Sequence, residues 1–543
     1  MFSGIKPYLS GFTAEKWVVA AALAISATII LSNIIGFFRL DMPFILLVAI
    51  VVSLRLLKGY ESQAMDRRMF LLAPLLFVLL IYPIILVTPV FPASNDAAST
   101  TAMRVMDEKI ELDYGQYGKI NNPYPIGLPV MAKALNSTAL AGLPDYLSPY
   151  AVALVAGILQ IFFVYLIASK LFGDKRAGII CAALLFASKF IFENIYVGEL
   201  AWYLGSALML GFIYLLLKGS RLKYVVFPSI FIAHPIAGFN TLLFLAAYYL
   251  ANRKNFPGEP ARLFFSLVVI IPGIALTYLP ILVNLSGGQT GTSESLGTLK
   301  LLSMLPFWVG TGLTLIAVAV IAYIVLARKQ ISIAGGHRTA IALFAVSMAA
   351  LVALESVHFM LSLRVIELII LSMIFIIGAL ISDNKLGLMA GKREAAVILA
   401  VLLIGMVFYS TSSILSHYRS GSKISAEGME FSAAFRQFDG GQKKALFLTK
   451  WGGKIAEYSN KIPYDITAAH SIISYDFMYY HDAAFYEMRE KRRIWEGIFL
   501  RKNTGLIDGI DVDYIVVDRN EFSPALNYPV VFEYKDFRVY QKS

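Results

Sequence analysis

The chain carries one cysteine, Cys181, in 543 residues, so neither an intrachain disulfide nor a cysteine-built metal centre is available. Its six histidines show no metal-ligand spacing, which argues against a dedicated zinc site. Charge is sparse: Asp, Glu, Lys and Arg make up 15% of the chain, against about 25% in soluble domains. Internal repeats are also absent, and no strict Asp-x-Asp motif occurs between residues 92 and 148. What fills the space is apolar: 58% of residues are hydrophobic and the mean hydropathy is +0.68. That balance excludes an ordinary soluble enzyme and fits a polytopic membrane protein.

A spanning helix needs about 20 apolar residues. Candidate spans are 17–38, 42–57, 69–91, 149–170, 177–193, 200–217, 262–284, 301–327, 339–356, 360–382 and 394–415. The basic stretch 1–16 before the first run resembles a signal peptide but lacks a small-residue cleavage site, and is read as leading into a retained helix. From Ser416 to Ser543 charges are frequent and apolar runs stop. The predicted organisation is therefore a helical membrane domain over 1–415, with a large first outer loop at 92–148, and a soluble domain over 416–543.

Lysine and arginine gather in alternate loops: nineteen in one set, and only Arg39, Lys300 and Arg364 in the short loops of the other. The rich set is cytoplasmic by the positive-inside rule. The alternation holds only if 224–251 crosses an even number of times, and His234-Pro235 near its middle predicts two short helices that dip in and return. Eleven crossings and a re-entrant pair give about thirteen helices. The first outer loop and the C-terminal domain then share the non-cytoplasmic side. The 416–543 segment is nearly neutral, with 18 Lys and Arg against 17 Asp and Glu. The net charge of +11 is thus mostly a topology signal and does not call for nucleic acid as a partner.

At the exit of the third span, Pro89 and Pro92 are followed by Ser94, Asn95 and Asp96, helix-capping residue types. Ala102, Met103, Met106 and Ile110 then share one face of an amphipathic, interfacial helix. A second short helix follows over 123–135, with Pro125 suited to its first turn. Asp96 has two compatible readings: a cap at the dipole's positive end, or an acid poised at the membrane surface for chemistry on a lipid-linked substrate.

The order of these features resembles the GT-C superfamily of integral-membrane glycosyltransferases, of the dolichyl-phosphate-mannose and arabinosyltransferase kind. The residues that carry the resemblance are Asp96 with "AASTTAMRVMDE", then Tyr124, Pro125 and Gly127, "YVGELAWYLG" (196–205), "AHP" (233–235) and "LRVIELIILSMIFIIGAL" (363–380). Two helices precede the span that would be the family's first, and "NDA" (95–97) offers a single acid.

The resemblance implies a polyprenyl-phosphate-linked sugar donor, a glycan, lipid or protein acceptor, and surrounding membrane lipids. Asp96 would be the general base that deprotonates the acceptor hydroxyl, and direct displacement would invert the anomeric centre. Arg364 would hold the departing phosphate, its alternative being headgroup snorkelling or an i,i+3 pair with Glu367. His358 and Glu355 lie near it in sequence, as phosphate-site and substrate-site candidates or as structural residues. Glu199 can bind sugar hydroxyls or cap the next span; Tyr124 can stack on a sugar or join an aromatic belt. A divalent cation, magnesium or manganese, is left open. The alternatives are a transporter or flippase for a lipid-linked glycan, for which a broken helix at 234–235 would speak, and a non-catalytic subunit of an envelope-assembly complex.

In the tail, 443–451, 512–519 and 530–542 read as strands, the last a hairpin, and 484–500 as a helix, predicting a small α/β domain. The run "REKRR" (489–493) is either a solvated face or an anion-binding patch. "NST" (136–138) and "NLS" (284–286) are glycosylation-type sequons.

Overall fold

The computed structural model describes residues 13–35, 42–62, 91–92, 111–113, 119–121, 125–138, 147–188, 200–252, 259–268, 271, 335–356, 365–382, 423–464 and 482–542. The predicted spans 69–91 (bar Phe91), 301–327 and 394–415, and the amphipathic helix after Asp96, lie outside these residues.

Apolar composition dictates the helices. In order they are α1 (Ala14–Ile35), α2 (Met42–Leu56), α3 (Gly127–Asn136), α4 (Ser148–Phe172), α5 (Lys175–Ala187), α6 (Leu200–Leu217), α7 (Lys223–Ala233), α8 (Pro235–Ala251), α9 (Glu259–Val268), α10 (Gly335–Ser356) and α11 (Ile366–Ser382). Five stretches among the described residues are long and apolar enough to cross a membrane: Ala14–Ile34, Met42–Gly59, Ser148–Phe172, Leu200–Leu217 and Gly336–Leu354. α4 starts with Pro149 in its first turn and stops at Gly173, whose φ of 68° needs no Cβ clearance. Asp174 then caps α5, its carboxylate accepting from the Arg176 amide at 2.8 Å.

α6 is the hub. Leu200 to Leu216 are all buried, as a helix apolar on every side must be. It packs on α4, α7 and α8.

The chain breaks where the His234-Pro235 pair predicts. α7 stops at Ala233, His234 is extended at φ −163° and ψ 118°, and Pro235 opens α8. The His234 amide still donates to Ile230 O at 2.8 Å, so the break leaves no orphan there. The two helices fold back on each other. At the tip, Gly205 of α6 meets both His234 and Ala237. At the far end, Leu216, Phe227 and Leu242 to Tyr249 line one cavity of about 370 Å³. α7 therefore runs against α6, and α8 runs with it.

α3 departs from its expected form. It begins at Gly127, so Pro129 rather than Pro125 sits in its first turn. It is not a surface helix either: Gly127 to Ala132 are buried, wedged among α1, α2, α4, α6 and α7. Only its C-terminal half reaches the surface, at half-buried Lys133, Leu135 and Asn136.

The C-terminal unit is an α/β layer structure. Its five-stranded sheet has the order β6 (Ile462–Pro463), β5 (Lys444–Leu448), β7 (Tyr514–Asp518), β9 (Phe537–Gln541), β8 (Val530–Tyr534). β5 is parallel to both neighbours, and β9 is antiparallel to β7 and β8. The predicted strands and hairpin are present, joined by the two-residue turn Lys535-Asp536, with Lys535 at φ 51°. Residue alternation splits the faces. Phe447, Val516 and Phe537 face α12 (Ala426–Phe438), where Phe431 stacks on Phe537 at 4.5 Å. Leu446, Ile515 and Val517 face α14 (Asp482–Phe499), whose Trp495 indole donates to Phe447 O at 2.8 Å.

Candidate functional site

Asp96, Tyr124, Glu199, His358 and Arg364 lie outside the described residues, and Glu355 is described only as backbone in the last turn of α10. The chain beside three of them is described. Gly127 follows Tyr124 by three positions, Trp202 follows Glu199 by three, and Glu367 follows Arg364 by three. These three neighbours pack on the two helices that flank the break at His234: Gly127 on Ala233 of α7, and Trp202 and Glu367 with Asn240 of α8.

This packing depends on small residues. A Cβ on Gly127 would lie 2.6 Å from the Cα of Ala233, so only glycine lets α3 approach the end of α7. A Cβ on Gly205 would lie 2.9 Å from the His234 Cβ and 2.7 Å from the Ala237 Cβ. Polar contacts complete it. Glu367, 1% exposed in the first turn of α11, accepts from the Trp202 indole at 2.9 Å and from the Asn240 amide at 3.2 Å, both at Oε2. α6, α8 and α11 are thereby fastened near their N-terminal ends. Trp202 and Asn240 escaped sequence reasoning because they lie 165 and 127 residues from Glu367 on other helices. The only signal was a lone acid in an apolar run.

A second junction ties the exit of the third span to the C-terminal unit. Phe91 and Pro92 (β1) pair antiparallel with Ile424 and Lys423 (β4). Pro92 is four residues before Asp96. Between β1 and α3, Glu111–Asp113 (β2) and Lys119–Asn121 (β3) form an antiparallel pair.

Two other polar clusters are structural. At the opposite end of α6, fully buried Glu15 accepts from the Tyr60 and Tyr214 hydroxyls at 2.6 Å each and pairs with Lys218. In the C-terminal unit, burial pushes the Asp439 carboxyl up, but the Tyr514 hydroxyl, the Gly441 amide and nearby lysines outweigh it and bring it down to about 2. Burial lowers Lys461 to about 8, and its ammonium donates to Asp439 O and Gly441 O. In the basic run, Arg492 pairs with Glu496 and Arg493 with Glu490 along the helix surface, as a solvated face does. Among the described residues no group of three His, Cys, Asp or Glu could hold a metal ion.

No family model matches the chain, and no curated protein matches it. Among solved structures it is similar to the cryo-EM structure of the arabinofuranosyltransferase AftD from mycobacteria, at 17% identity and a TM-score of 0.45. The match covers 71% of this chain and 30% of that one, so the chain spans less than a third of that protein's length.

Proposed function

We propose that this chain is an inverting membrane glycosyltransferase of the GT-C type, moving a sugar from a polyprenyl-phosphate donor to a glycan, lipid or protein acceptor on the non-cytoplasmic face. The observation that supports this reading is the packing of Gly127 on Ala233, and of Trp202 and Glu367 with Asn240, on the two helices that flank the His234 break. Three residues of chain reach at most about 11 Å, so each of the candidates Tyr124, Glu199 and Arg364 is bounded to that distance from its own described neighbour. The β1–β4 pairing supports a place for Asp96 beside the C-terminal unit.

In this reading the Asp96 carboxylate takes the acceptor hydroxyl's proton as that oxygen attacks the anomeric carbon. The bond from that carbon to the phosphate oxygen breaks, and the lipid phosphate leaves with its electron pair. A positioned base of this kind contributes about 10²- to 10⁴-fold. Arg364, with His358, balances the charge that the leaving phosphate gains; guanidinium forks match phosphate oxygens. Tyr124, Glu199 and Glu355 contact the sugar. The soluble segment 416–543 restricts which acceptor reaches the base.

The test is the full chain and its Asp96→Asn variant in lipid vesicles, with radiolabelled polyprenyl-phosphate sugars and a cell-envelope acceptor extract. Transfer by the parent and a fall of at least about 100-fold in a folded variant is the expected result. Equal transfer by both would keep the enzyme and remove Asp96 as base. The hairpin break favours a second reading, a lipid-linked glycan transporter, because broken helices line transport sites. Movement of labelled lipid across the vesicle without a new glycosidic bond would select it.

A further inference from the structure

The cavity at the basic end of α6 has no part in the chemistry proposed at the other end. Its volume of about 370 Å³ falls within the range of small-molecule pockets, about 300–1,000 Å³. α8 runs toward this end, and α9 starts there, where Lys223 pairs with Glu259 at 2.7 Å. The two helices therefore pass each other in opposite directions, which orders the lining by depth. Leu242 and Leu245 of α8 form the deep part with Leu263 and Leu267 of α9. Tyr248, Tyr249 and Glu259 line the end nearest the basic residues. From Glu259 to Leu267 the slot follows about 12 Å of helix, at 1.5 Å per residue.

The rim shows what the slot faces. Of the lining residues, Leu242 and Tyr249 are each 45% exposed and Phe264 is 62% exposed. Large apolar side chains turned outward on so apolar a chain meet lipid. Charge then marks the polar end. α6, α7, the turn between them and α9 carry four cations, Lys218, Arg221, Lys223 and Arg262, against one acid, Glu259. The Glu259 carboxylate is neutralised by Lys223 and accepts from the Tyr224 hydroxyl at 3.1 Å. Arg262 lies beside the same hydroxyl, and both Arg262 and Arg221 are exposed. An apolar slot with a polar mouth and a surplus of positive charge there matches an amphiphile with an anionic headgroup.

We propose that the slot between α8 and α9 binds an anionic phospholipid of the leaflet at the basic end of α6. Its acyl chain lies along Leu242, Leu245, Leu263 and Leu267, and its phosphate faces Arg262 in the field of Arg221. Phe227 of α7 lines the same slot as Leu242 of α8, so the lipid braces the base of the hairpin that breaks at His234. The proposal needs a membrane and no sugar transfer, and it stands or falls apart from the reading above.

The experiment titrates the full chain, purified in a non-ionic detergent, with dioleoyl phosphatidylglycerol, dioleoyl phosphatidylcholine and soluble glycerol phosphate. Bound lipid is read by native mass spectrometry and by the rise in thermal midpoint that a ligand of the folded state produces. The expected result is saturable binding of a single phosphatidylglycerol, at least about tenfold tighter than phosphatidylcholine, with no effect of glycerol phosphate. Arg262→Gln should cut that preference about fivefold, the worth of one surface cation toward an anionic leaflet. Ala246→Trp fills the slot from an exposed lining position; it should abolish the tight site and leave the midpoint without added lipid unchanged. Equal affinity for the two lipids would overturn the proposal, as would tight binding that persists in Ala246→Trp. Glycerol phosphate that competes as well as the lipid would also overturn it, leaving a site for a free anion. A chain that is dimeric in detergent, turns monomeric in Ala246→Trp and holds no tight lipid would make the slot an interface between copies instead. If Ala246→Trp does not fold, Leu242→Trp, also exposed and lining, decides.

Discussion

At the scale of single residues, the chain buries two carboxylates at opposite ends of α6 and treats them differently. Among the described residues, Glu367 accepts from the Trp202 indole and the Asn240 amide, whereas Glu15 pairs with Lys218 and takes two tyrosine hydroxyls. The Lys218 ammonium also lies 4.1 Å from the Tyr60 ring centroid, a cation–π contact that its partial burial strengthens. Removing one partner of a buried ion pair costs far more than the pair contributes, on the order of 3–5 kcal/mol, because the other charge stays desolvated. Glu15→Ala should therefore lower stability by about 3 kcal/mol or more, read as a fall in the thermal midpoint of the detergent-solubilised chain. Lys218→Met should cost at least as much, because it leaves the fully buried Glu15 carboxylate without its cation. An unchanged midpoint in Glu15→Ala would show that the cluster adds nothing. Neither cluster was legible in the sequence. Glu15 and Lys218 are 203 residues apart, and no local pattern links them. The same holds for Gly127 and Gly205: composition marks them as small, and only the packed helices show that Ala233, His234 and Ala237 need the space.

At the scale of elements, legibility follows periodicity and proline chemistry. α4 and α6 were readable as long apolar runs, β5 and β7 as short β-branched and aromatic runs, and the α7–α8 break as a proline that cannot continue the helix. β4, β6, α12 and α13 (Gly452–Tyr458) were not anticipated. A two-residue strand has no period, and its partner lies far away in sequence. The β1–β4 pair is the consequential case, since it joins the segment before Asp96 to the first residues of the C-terminal unit. Phe91 and Ile424 are opposed across this antiparallel pair, which places their Cα atoms about 4.5–5.5 Å apart, within disulfide range. The chain suits a cross-linking test because Cys181 is buried. A Phe91→Cys, Ile424→Cys double variant, oxidised and then cut at a protease site inserted near residue 418, should remain joined until reduced. Fragments that separate without reductant would refute the pairing and the proposed proximity of Asp96 to the tail.

At the scale of the molecule, the charge rule and the packing agree about which helix ends belong together, and they reach that agreement from different physics. The rule grouped Lys58, Lys218, Lys223 and Arg262 from loop composition alone. In the structure the start of α1, the residues after α2, the α6–α7 turn and the start of α9 are drawn together through Glu15, Tyr60, Lys218 and the 2.7 Å pair between Lys223 and Glu259. The opposite end of α6 holds Gly205, the His234 break and Glu367. A site at that second end is separated from the basic end by the length of an 18-residue helix, about 27 Å at 1.5 Å per residue, close to the thickness of a bilayer's hydrocarbon core. The topology expected from this arrangement has the α6–α7 turn in the cytoplasm and the C-terminal unit outside. Arg221 is exposed in that turn, and the Asp511 side chain is 91% exposed in the C-terminal unit. In intact cells a membrane-impermeant maleimide should label Asp511→Cys, and should label Arg221→Cys only after the membrane is opened. The reverse pattern would invert the protein and move the proposed chemistry to the cytoplasmic face. Labelling of both without lysis would put the C-terminal unit on the same side as the α6–α7 turn, the far side of the bilayer from the His234 end of α6, and would refute the proposed place of that unit beside the site.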